Sequence, residues 1–165
     1  MKVEKTDLGD LLLITLEPYQ DFRGHFVELY NMRDYQEQGI EFVEDDINVS
    51  RKGVLKGFHS DSKALKLLTC LHGEMYLVIV DCREGEAFGK WQAFTLTGDS
   101  SFQLLVPSKY GIAFLALSDV AILWYKQTEC YDPKRQRTYR WDDPRFGVRW
   151  PIQNPILSRR DECRE

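Results

Sequence analysis

Three residues in this sequence have types and surroundings suited to moving protons. His59 stands in GVLKGFHSD, with glycines at 53 and 57, a cation at Lys56 and an acid at Asp61 around one imidazole. A histidine titrating near neutrality suits proton abstraction; the same run also fits an ordinary histidine at a strand end. Lys66 lies inside the apolar run ALKLLTC. A lysine there is costly to bury unless its charge is used or paired, although its stem could snorkel at a barrel rim. Tyr131, in CYDP, is a phenol just ahead of a turn-forming Asp-Pro, and phenols can act as general acids toward a carbanion or enolate. With 8 tyrosines in the chain, a packing role with the hydroxyl bonded to backbone stays open. His25, His59 and His72 include no HxH pair. His25 and His59 could converge, but nothing in the spacing demands a metal, and none is expected.

The elements that must hold these side chains are mostly strands. LLLITLEP, HFVELY, LLTCLHGEMYLVIVD, WQAFTLTG, SFQLLVPS and IAFLALSDVAILWYKQ are rich in Leu, Val, Ile, Phe and Tyr and are broken by Gly, Pro, Asp and Ser. Such spacing predicts an antiparallel all-β sandwich or barrel. Helical periodicity is confined to Met32–Gly39, where a glycine ends it. HGE at positions 72–74 reads as a tight turn or bulge with Gly73 at positive φ. From Tyr131 onward the chain turns rich in Pro, Asp, Arg and Trp and loses alternation. This segment is expected to cross the barrel mouth as loops and a short helix. No repeat or linker divides the sequence, so one domain over 1–165 is expected.

Composition narrows the function classes. The chain has 165 residues, with 43% hydrophobic and 29% charged, which describes an ordinary globular protein. A formal net charge of −4 gives no general attraction to phosphate backbones and argues against nucleic-acid binding. The apolar run Leu11–Ile14 is far too short for a signal core or a membrane span, so a cytoplasmic protein with no membrane partner is expected. Cys70, Cys82, Cys130 and Cys163 are scattered and read as reduced, with Cys70 a small core residue and Cys163 exposed.

Several stretches together resemble one family. DFRGHFVELYN, SRKGVLKGFH, KLLTCLHGEMYLVIVDCREG, FGKW, LLVPSKYG, TECYDP, WDDPRFGVRWP and ILSRRD occur in order along nearly the whole chain. They are similar to the dTDP-4-dehydrorhamnose 3,5-epimerases and to relatives acting on other nucleotide-linked 4-keto sugars. The resemblance implies a cupin-type jelly-roll barrel, a homodimer with strand exchange, and epimerisation without metal or organic cofactor. A C4 ketone acidifies the hydrogens on C3 and C5. A base can remove one, an acid can return a proton to the opposite ring face, and the enolate between them needs electrostatic stabilisation.

By the same resemblance His59 is the base and Asp161 the carboxylate that orients it. Tyr131 reprotonates the other face and Lys66 stabilises the enolate. Arg23 and Lys56 grip the diphosphate, while Phe26, Glu28 and Asp46 belong to the substrate pocket. Lys56 stands where arginine is usual, which keeps the charge but loses the fork. HSD follows in place of HYQ, Ile112 replaces a second histidine, Glu44 and Asp46 replace Gln and Asn, and Gln136 replaces a glutamate. Those departures point away from a thymidine-linked rhamnose precursor and toward another polysaccharide sugar, such as a GDP-linked heptose derivative. A C3-only epimerase, a 3,4-ketoisomerase and a non-catalytic sugar-nucleotide-binding relative are the alternatives.

Overall fold

Most of the alternating apolar stretches form strands in the computed structural model, which describes residues 1–162; HFVELY is strand only through Phe26. Along the chain these are β1 (Lys2–Lys5), β2 (Leu12–Thr15), β3 (Tyr19–Asp21), β4 (Gly24–Phe26), β5 (Glu44–Arg51), β6 (Leu55–Asp61) and β7 (Lys66–His72). They continue as β8 (Glu74–Asp81), β9 (Trp91–Thr97), β10 (Phe102–Val106), β11 (Tyr110–Ala116), β12 (Val120–Gln127) and β13 (Gln136–Thr138). One sheet runs β1-β2-β10-β7-β12-β5 and the other β13-β6-β11-β8-β9, with β3-β4 as a separate ribbon. Neighbours in space are mostly distant in sequence, which is the interleaving of an all-β jelly roll of the cupin type.

The barrel core lies between the two sheets and contains Leu68, Leu77, Ile79, Leu104, Phe114 and Leu123. Alternation explains the rest. On β8, Leu77 and Ile79 enter this core while Val78 and Val80 face the other way. There they meet Phe58, Ala113, Phe146 and, at the margin, Tyr139, Val148 and Trp150. Much of the C-terminal segment therefore covers the outer face of the five-stranded sheet rather than the barrel mouth expected for it. A strand that is apolar on both faces needs a cover on both faces, and the Trp- and Phe-bearing segment supplies one. Among the described residues its one helical turn is the 3-10 turn Pro133–Arg135, capped by Asp132. A parallel bridge between Val54 and Ile156 then ties the segment to the approach to β6.

The outer face of the six-stranded sheet is covered over part of its width. Helix α1 (Met32–Gln36) starts at Asn31, whose side chain accepts from the Arg33 amide, and it buries Tyr35 against Ile14, Leu67 and Leu105. The helix is shorter than its periodicity suggested, because the chain passes into turns up to Gly39 at φ 72°. Gly73, at φ 74°, makes the expected turn between β7 and β8, and a Cβ there would lie 2.0 Å from the Val120 carbonyl oxygen. Cys70 and Cys82 are buried free thiols and Cys130 is an exposed one; Cys163 lies outside the described residues. Among the described residues no helix is long and apolar enough to cross a membrane.

Candidate active site

A β-bulge brings the chemistry together. β6 pairs with β11 through Ile112–His59 and then Phe114–Lys56, so Gly57 and Phe58 together oppose the single residue Ala113. On a regular strand, Lys56 and His59 would face opposite sides. The bulge turns both into one cavity of about 110 Å³, where they line the wall with Lys66, Asn48, Ile112 and Tyr125. Gly57 is at φ 111°, and a Cβ on it would come within 2.3 Å of the Ile112 carbonyl oxygen. No other residue fits there without moving β11.

Asp161 reaches His59 from 102 residues later in the chain, with its Oδ1 2.7 Å from His59 Nε2. The same oxygen accepts from the Gly57 amide at 3.2 Å, and Oδ2 accepts from Ser158 Oγ at 2.7 Å. Asp161 is only 2% exposed. Burial alone would raise its pKa, but hydrogen bonds from His59, Ser158 and Gly57 outweigh it and hold the carboxyl below its ordinary value. An ionised carboxylate can only accept, so Nε2 carries the hydrogen and Nδ1 keeps the free lone pair. Asp161 thereby fixes both the tautomer and the ring orientation.

Two cations share the cavity in different ways. Lys56 Nζ donates to Asn48 Oδ1 at 2.7 Å, and burial pulls its pKa down against the attraction of Asp161. Lys66 lies over the Tyr125 ring, 5.5 Å from its centroid. Burial lowers its pKa, opposed by the carboxylates of Asp61, Asp46 and Glu44. Among the described residues Lys66 makes no salt bridge, so its ammonium is available to a ligand oxygen.

A carboxylate pair borders this region. Gln127 Nε2 donates to Glu44 Oε1 at 2.7 Å and to Asp46 Oδ2 at 2.9 Å. Burial first, and then the Glu44 charge, raise the pKa of Asp46. The remaining Glu44 oxygen accepts the Tyr131 amide at 2.8 Å and so anchors the loop that carries this phenol. Tyr131 is 54% exposed and stands outside the cavity wall. It still joins Asp46 and Glu44 in raising the Tyr125 phenol, whose pKa burial and these charges push up to about 12.

The structure thus brings His59, Lys56, Lys66 and Asp161 together, with Asp46 and Tyr131 alongside. It does not bring Arg23, Phe26 and Glu28 to His59 within one chain. Arg23 and Phe26 stand on the β3-β4 ribbon, with Arg23 paired to Asp21 and Phe26 71% exposed. Glu28 accepts from Asn31 Nδ2 at 3.2 Å in a depression beside α1. Gln136 binds Asp61. Asn48 and Tyr125 were missed from the sequence, although the parity of each was legible: Asn48 alternates with Glu44 and Asp46, and Tyr125 with Leu123. Among the described residues no three His, Cys, Asp or Glu side chains form a metal-binding group.

Known proteins resemble this chain over nearly its full length. The sequence profile of the dTDP-4-dehydrorhamnose 3,5-epimerases matches residues 5–165. A dTDP-4-dehydrorhamnose 3,5-epimerase of Shigella flexneri is 36% identical, with 98% of this chain and 93% of that protein covered. A dTDP-4-dehydrorhamnose 3-epimerase of Streptomyces niveus is 31% identical over 98% of this chain and 82% of its own length. A Legionella pneumophila dTDP-6-deoxy-D-glucose-3,5-epimerase, solved with dTDP-4-keto-L-rhamnose, superposes with a TM-score of 0.90. It is 32% identical, and the match covers 98% of this chain and 89% of that one.

Proposed function

Because the chain belongs to the dTDP-4-dehydrorhamnose 3,5-epimerase family, we propose that it is an isomerase that inverts C3 and C5 of a nucleotide-linked 4-keto-6-deoxy sugar. The observation that carries the proposal is the His59–Asp161 dyad at 2.7 Å, with the imidazole sharing one cavity with the half-buried Lys66. His59 Nδ1 takes the proton next to the ketone and the electron pair moves onto the C4 oxygen. Lys66 stabilises that enolate oxygen with its ammonium. Tyr131 gives its phenolic proton to the carbon from the opposite ring face, and both groups then exchange protons with solvent. Atoms balance without any second substrate, and the chemistry asks for a base, an acid and a cation.

Substrate size bears on the assembly. A cavity of about 110 Å³ takes the reacting part of a pyranose but not a nucleoside diphosphate. The diphosphate and base then lie along the mouth, where Arg23, Phe26 and Glu28 are the expected contacts. We assign those contacts to a second copy in a homodimer. The outer face of the six-stranded sheet supports this: Ile47 is 65% and Val49 61% exposed, opposite Trp124 and Ile122 on β12. The replacement of a second histidine by Ile112, and of two amides by Glu44 and Asp46, favours a GDP-linked heptose derivative over a dTDP-linked sugar. The cytoplasm is the expected site of action.

Incubating the protein in heavy water with GDP- and dTDP-linked 4-keto sugars tests each part. Deuterium is expected at both C3 and C5, with the GDP-linked sugar preferred, and His59→Ala is expected to abolish uptake while leaving the melting temperature within a few degrees. Uptake at C3 alone would make the protein a 3-epimerase, as the Streptomyces niveus relative is named. Preference for the dTDP-linked sugar would overturn the nucleotide assignment, and uptake undiminished in His59→Ala would overturn the base.

A further inference from the structure

We infer that the chain carries a second small-molecule site, on the outer face of β6, for a phosphorylated organic ligand. A cavity of about 440 Å³ opens there, far larger than the 110 Å³ one that holds His59. It is within the range of pockets that bind whole metabolites.

Its charges sort into used and unused. Arg83 is held by Asp81 and Asp10, and Arg135 by Glu129 and the Cys130 carbonyl, so these two guanidinium groups form wall. Lys109 and Arg137 line the same cavity, and among the described residues neither side chain makes a hydrogen bond or salt bridge. Ser60, Ser62 and Tyr139 line the same cavity, with one carboxylate-bearing residue, Glu84. An unpaired ammonium, an unpaired guanidinium fork and neutral donors around a concave surface are the chemistry that holds a phosphate group. The site is the more telling because the chain as a whole has a formal net charge of −4. A phosphate fills only part of the space, so the ligand carries a sugar- or nucleoside-sized group as well.

Backbone geometry aims one of these cations. Lys109 has φ 67° and is the one non-glycine residue with positive φ among the described residues. Its amide donates to the Asp61 carbonyl at 2.7 Å, and its carbonyl accepts from the Cys82 amide at 3.1 Å. A lysine held in a conformation that glycine adopts freely is placed by the surrounding structure. Arg137 is the cross-strand partner of Ser60, and the next pair is Thr138 with His59. A ligand here would therefore sit directly behind the strand that carries the imidazole, on the face opposite the dyad.

The test is calorimetric titration of the full-length protein at low ionic strength with glucose 1-phosphate and with inorganic phosphate. Wild type is expected to bind glucose 1-phosphate at a site that survives Lys56→Gln. The double variant Lys109→Gly/Arg137→Gln is expected to weaken that site at least tenfold while leaving epimerisation in the absence of added anion unchanged. Lys109→Gly suits the backbone there, and Arg137→Gln alone, expected to weaken binding severalfold, guards against a folding defect in the pair. Unaltered binding in the double variant, or loss of binding in Lys56→Gln alone, would place the phosphate in the barrel and overturn the proposal. Equal affinity for the two ligands would overturn the assignment to an organic phosphate.

Discussion

His59 is surrounded by groups that fix its ring and its proton, whereas Arg23 and Phe26 stand on a two-stranded ribbon open to solvent. The dyad draws on β6, the Gly57 amide, Ser158 and Asp161, all joined by hydrogen bonds. The ribbon has three residues in each strand and is absent from both large sheets; Phe22 at its tip is 97% exposed. Proton transfer needs geometry fixed before substrate arrives, whereas a ribbon proposed to grip a diphosphate can be ordered by the ligand or by a second copy. Under the proposed function the two regions divide the work: one chain builds the reacting centre, and a second copy would complete the gripping surface.

The largest expected effect falls on the fixed region. Asp161→Asn keeps the shape but lets the side-chain amide donate to Nε2, which favours the wrong tautomer. A loss in kcat of about three orders of magnitude is expected, by analogy with carboxylates that orient catalytic histidines elsewhere. Steady-state kinetics with the preferred 4-keto sugar would read it, and a loss under tenfold would show that the dyad does not set the base. Next comes Lys66→Met, which removes the cation proposed to face the enolate while keeping a similar volume. A fall in kcat of about a hundredfold with little change in KM is expected; a KM effect alone would reassign Lys66 to ground-state binding.

How much of this contrast was legible in the sequence depends on spacing. The strands were, because apolar residues recur with period two, and Lys66 stood out as a charge among leucines. Lys56 and His59 were visible as candidates, but their convergence was not, since three residues of spacing puts two side chains on opposite faces until a bulge intervenes. The destination of the C-terminal segment was also hidden. Without alternation there was no sign that Phe146 and Trp150 would meet Phe58 on the outer face of a sheet.

Smaller effects sharpen the other half of the comparison. Arg23→Gln is expected to raise KM about tenfold with kcat largely kept, the outcome of losing a phosphate contact of roughly 1.4 kcal/mol. An unchanged KM would show the ribbon to be idle. The smallest expected effect is on stability against pH. Asp161 has its pKa depressed in the folded chain. It therefore contributes stability that is present above the unfolded aspartate value, about 3.9, and is lost as pH falls below it toward the folded value. Urea midpoints measured at pH 6 and pH 3 should fall more steeply in wild type than in Asp161→Asn; parallel declines would mean that this carboxyl is not the linked group.

Among the described residues the last strand ends at Thr138, yet the carboxylate that reaches His59 is that of Asp161. During synthesis the imidazole is made 102 residues before its director. Turnover is therefore a late acquisition of the growing polypeptide, and a chain clipped between Trp150 and Ser158 would keep the strands and their Phe146–Trp150 cover while holding an undirected ring.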